Sequence, residues 1–165
     1  MLTTLRFFKL LAIVVWLGGI VFFAFVLAPV AFTRLPSPHL AGMVVGGTLS
    51  ILHTVGLFCG LLFLLATLST YALARYRKPR IAAEAALVCA MLALTAYSQF
   101  SVIPRMELDR QRVAASGVDI DSASPSNPSR RDFDHLHGQS EKVEGIVLLA
   151  GLGVVWLLSR REESV

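Results

Sequence analysis

Apolar residues run almost unbroken through four stretches of the chain: Leu10–Phe32, Leu40–Ala74, Ile81–Ser101 and Gly145–Leu158. Crossing a hydrocarbon core takes roughly 20 helical residues, and a helix satisfies its own backbone polar groups there. The first three stretches are long enough; the fourth must borrow residues from a flank. The pattern predicts helices over about 7–33, 40–74, 81–112 and 133–160, an all-α, integral membrane four-helix bundle forming one transmembrane domain over 1–165. The stretch "ASGVDIDSASPSNPS", residues 115–129, is rich in Ser, Asp and Pro and reads as a flexible outer loop. Pro104 is expected to kink or stop the third helix, with "RMELDRQR" continuing as a charged turn or two.

Within the stretches, small residues recur at helical spacing. Gly42, Gly46, Leu49, His53, Gly56 and Gly60 share one face of the second helix, with two small-xxx-small pairs that let helices approach closely. Ala83, Ala86, Ala90, Ala93 and Tyr97 form a similar stripe on the third, and Ala12, Trp16, Gly19 and Phe23 on the first. No internal repeat is evident.

Composition supports the membrane reading. Charged residues are 16% of the 165, where a soluble domain carries about 25%. The net charge of +4 resides in basic residues flanking the apolar runs, where they fix topology. They are not interleaved with aromatics, and no nucleic-acid reader motif is present, so nucleic acid is set aside as a partner. Eight basic residues on the terminal side, including those of the short connector "RYRKPR", stand against seven on the other. Both termini are therefore expected to be cytoplasmic. The first helix is expected to be retained rather than cleaved, because its apolar run exceeds that of a signal peptide and Pro29 follows the one small-residue site. Cys59 and Cys89 read as buried apolar side chains. The expected partner is the lipid bilayer, and a homo-oligomer is allowed.

Candidate chemistry concentrates at one depth. At about 1.5 Å per residue, His53 lies about 31 Å from the terminal end of the second helix, and His137 about 31 Å from that of the fourth. Tyr97 and Gln99 fall just inside the same outer boundary, with Arg105 and Glu107 just beyond it. His137, Glu141 and Glu144 share a helix face at i, i+4 and i+7. Charged groups at such depth turn inward, pair, or line hydrated cavities. A polar cluster of Tyr97, Gln99, Arg105, Glu107, Glu141 and Glu144 at the outer mouth is expected, with Arg105, Arg110 and Lys142 as counter-charges. Three readings follow: structural ion pairs; a haem or metal site with His53 and either His137 or His135 as ligands and Glu141 as a third ligand or a partner behind them; or a proton or small-solute pathway through the carboxylates. HExxH, GxSxG, CxxC, Walker and GxGxxG signatures are absent from the sequence, so a non-enzymatic protein is expected.

The segments "WLGGIVFFAFVLAPVAF", "AGMVVGGTLSILHTVG", "YSQFSVIPRME" and "FDHLHGQSEKVEG" resemble bacterial members of domain-of-unknown-function family 4149, which is related to eukaryotic transmembrane protein 205. The resemblance covers nearly the whole chain except 115–129. It implies a multi-pass protein of the bacterial inner (cytoplasmic) membrane without an established activity. The first helix is also similar to that of copper resistance protein D-like membrane proteins and of haem-containing bacterial protoporphyrinogen oxidases. That likeness implies haem b or copper, with His53 as the matching bundle ligand.

Overall fold

A computed structural model describes residues 2–74 and 79–160. Four helices carry the chain: α1 (Thr3–Arg34), α2 (Pro38–Ala74), α3 (Arg80–Ala114) and α4 (Pro128–Ser159). All four are long and apolar enough to cross a membrane, and no strand occurs among the described residues. Arg75, Arg77 and Lys78 of the basic connector lie outside the described residues.

The helices overrun the expected bounds for local reasons. α4 starts at Pro128, five residues before the expected start, because the Asn127 side chain accepts from the Ser129 and Arg130 amides and Pro128 takes a position needing no N–H. Within the 115–129 segment one apolar residue, Ile120, turns inward. Ile120 is buried against Val113 and Phe133, and Arg130 Nη1 donates to its carbonyl at 2.5 Å.

Neither membrane-helix proline ends its helix. Before Pro29 and before Pro104 the backbone widens into one π turn, Phe23–Leu27 and Ser98–Val102. Ala28 N–H reaches Phe23 O, and Ile103 N–H reaches Ser98 O. A proline ring would clash with the carbonyl four residues back, and the wider turn relieves that clash without ending the helix.

The helices form a ring in chain order, with α1 beside α2 and α4, and α3 beside the same two. α1 therefore opposes α3 across the centre, and α2 opposes α4. On the expected glycine face of α2, Leu49, His53, Gly56 and Gly60 pack inward, whereas Gly42 and Gly46 are half-buried and a Cβ on Gly46 would meet nothing within 4 Å. The alanine face of α3 does not pack inward: Ala83, Ala86, Ala90, Ala93 and Tyr97 are exposed. The buried stripe is Glu84, Val88, Met91, Thr95, Ser98 and Val102. A helix apolar on all sides has no face that periodicity can single out. The charged Glu84 must turn inward, and that rotates the alanines out.

The inward stripes expose a repeat that the residue types conceal. A shift of 75 residues carries Lys9 to Glu84. It also carries Trp16 to Met91 and the first π turn onto the second. A shift of 91 carries His53 to Glu144, and Gly60 to Gly151. The contacts follow the same exchange. A Cβ on Gly60 would lie 2.5 Å from Leu92 and 2.8 Å from Trp16. On Gly151 it would collide with their counterparts, Leu17 and, at 3.2 Å, Met91. The α1–α2 and α3–α4 hairpins are thus related by a pseudo-two-fold axis along the bundle.

Candidate functional site

Helix diagonals are bridged by polar pairs at two levels, and each pair joins residues equivalent under the two-fold. At the end carrying Arg6 and Arg160, Lys9 Nζ of α1 donates to Glu84 Oε2 of α3 at 2.5 Å. Arg80 Nε donates to the other carboxylate oxygen at 3.0 Å. Glu84 is 2% exposed, and the Lys9 ammonium also sits 4.8 Å from the centre of the Phe63 ring. Such a carboxylate is tolerated because both oxygens carry cationic donors.

Nearer the loop end, His53 of α2 meets Glu144 of α4. His53 is 2% exposed; its Nε2 is 2.5 Å from Glu144 Oε1 and its Nδ1 is 3.1 Å from Gln99 Oε1. Gln99 Nε2 donates to Ser50 Oγ at 2.9 Å, one helical turn before His53. Each ring nitrogen of His53 thus faces a polar side chain of another helix. The hydroxyls of Thr95 and Ser98, buried on the inward stripe of α3 just before Gln99, have no protein partner. Between the two levels lies an apolar plug that includes Trp16, Phe63, Val88, Met91, Val147 and Val154.

Of the expected cluster, only Gln99 and Glu144 come together, both against His53. Tyr97 faces outward, 46% exposed, and Arg105 is also exposed. Glu107 pairs with Arg110 at 3.1 Å on the surface of the same helix, so Arg110 is not the counter-charge of Glu144. His137 and Glu141 approach to 3.4 Å, with side chains 48% and 70% exposed, as a surface pair beside Phe133. His53 and His137 thus have separate partners. Among the described residues, no group of three or more His, Cys, Asp and Glu could hold a metal ion. In this arrangement protein side chains occupy both ring nitrogens of His53.

Sequence reasoning missed the Lys9–Glu84 pair. The available signal was the single acid inside "IAAEAALVCAMLALTAY", set as far before Pro104 as Lys9 is before Pro29.

An all-helical bundle of four membrane-length helices with an apolar exterior along those spans defines a multi-pass membrane protein. The family model of DUF4149, a domain of unknown function, matches residues 11–113. That is more than half of the chain, which therefore belongs to this family. No curated protein and no solved structure matches it.

Proposed function

We propose that this is a non-enzymatic membrane protein whose His53–Glu144 pair binds and releases a proton from the loop end of the bundle. The observation that carries this reading is an acid–base pair buried across the bundle diagonal, with a partner able to serve either protonation state. With the ring charged, Gln99 accepts from Nδ1. With the ring neutral, a turned Gln99 amide donates to Nδ1 and accepts from the Ser50 hydroxyl. Neither state strands a buried polar group, the usual cost of changing protonation inside a protein. The apolar plug keeps this centre apart from Lys9 and Glu84, so proton access is from one side. The basic side chains Arg6, Lys9, Arg80 and Arg160 at the opposite end support an orientation with that end cytoplasmic in a bacterial inner membrane.

The test is infrared difference spectroscopy of the protein in lipid, comparing acid with neutral pH. Carboxyl and imidazole bands are expected, both lost in Glu144→Gln and in His53→Gln; identical spectra from all three proteins would overturn the reading. A Soret band lost in His53→Ala would instead establish a haem-binding bundle.

A further inference from the structure

At the end opposite the proton centre the four helices part around a cavity of about 530 Å³. Its floor is the Lys9–Glu84 pair, and its rim carries Arg6, Arg80 and Arg160. Among the described residues, four basic residues and one acid line the cavity, and that acid already accepts from Lys9 and Arg80. The described lining is therefore net positive. Its cations come from three helices: Arg6 and Lys9 from α1, Arg80 from α3 and Arg160 from α4. Arg160 is held in place by stacking on Trp156, 4.4 Å from the ring centre, while Arg80 donates to the Arg160 carbonyl at 2.7 Å. The remaining wall includes the apolar Leu10, Ile81 and Leu158. The volume falls in the range of small-molecule pockets, about 300–1,000 Å³.

We infer that this cavity binds a phosphate group. A tetrahedral oxyanion presents oxygens in several directions and can be met from three helices at once, whereas a planar carboxylate is matched by one guanidinium fork. The apolar wall accepts the first carbons of whatever carries the phosphate. An exposed tryptophan beside an arginine marks the level of a membrane interface, so both an anionic phospholipid headgroup and a soluble phosphate can reach the cavity.

Calorimetric titration of the full-length protein in a non-ionic detergent tests this, with three probes. These are short-chain phosphatidylglycerol, phosphatidylcholine of the same chain length, and inorganic phosphate. Phosphatidylglycerol binding without inorganic phosphate binding assigns the site to lipid, and competition by inorganic phosphate assigns it to soluble phosphates. In either case Arg6→Gln/Arg160→Gln, which leaves the buried floor intact, is expected to weaken binding roughly ten-fold or more. Arg105→Gln/Arg131→Gln, at the other end of the bundle, is expected to leave it unchanged. Binding of neither anionic probe, equal binding of phosphatidylcholine, or insensitivity to the rim double substitution would overturn the inference.

Discussion

Exchanging His53 and Glu144 tests both the pair and the two-fold axis. In His53→Glu, two carboxyl groups meet where a ring nitrogen now lies 2.5 Å from a carboxylate oxygen. Two like charges about 4 Å apart at an effective dielectric of about 20 repel by about 4 kcal/mol. That is an upper limit, because one carboxyl can take a proton instead. In Glu144→His alone, two imidazoles face each other and a charge-assisted hydrogen bond worth about 1.5–3 kcal/mol is lost. The double substitution His53→Glu/Glu144→His rebuilds an acid–base pair across the same diagonal, since the two-fold relates the positions. What it does not rebuild is the Gln99 contact, which is specific to the α2 position and worth about 1 kcal/mol. The double variant is thus expected to be more stable than the sum of the single effects by about 3 kcal/mol. Chemical unfolding in detergent, followed by the emission of Trp16, which is buried against Gly56 and Gly60, measures it. A double variant as unstable as the two single losses combined would refute the equivalence of the positions.

The other diagonal responds differently. Lys9→Met leaves Glu84 with Arg80 alone and is expected to cost about 3 kcal/mol, the low end for breaking a buried pair; adding Glu84→Met should recover most of it in the same unfolding assay. Gly60→Ala forces a Cβ against the Trp16 ring and is expected to cost about 1–3 kcal/mol. Gly151→Ala meets only the flexible tips of Leu17 and Met91 and should cost less, while Gly46→Ala, with nothing within 4 Å, should change stability by no more than about 0.5 kcal/mol.

Four membrane-length helices, their order, and the glycine face of α2 around His53 were legible in the residues alone. Run length and i, i+4 spacing are local properties, and lipid leaves the backbone no alternative to a helix. Local patterning could not orient α3, whose apolar residues surround it; the one buried acid did that, and a partner 75 residues away made it possible. The depth count brought His53, Gln99 and Glu144 to one level, but rise along a helix carries no information on rotation about it. His137 and Glu141 therefore remained candidates alongside Glu144 until the packed helices turned only Glu144 inward. The pseudo-two-fold was hidden for a related reason. Its halves place lysine against glutamate and histidine against glutamate, so equivalent positions hold complementary rather than similar residues. Complementarity across an axis exists only once four helices close around it.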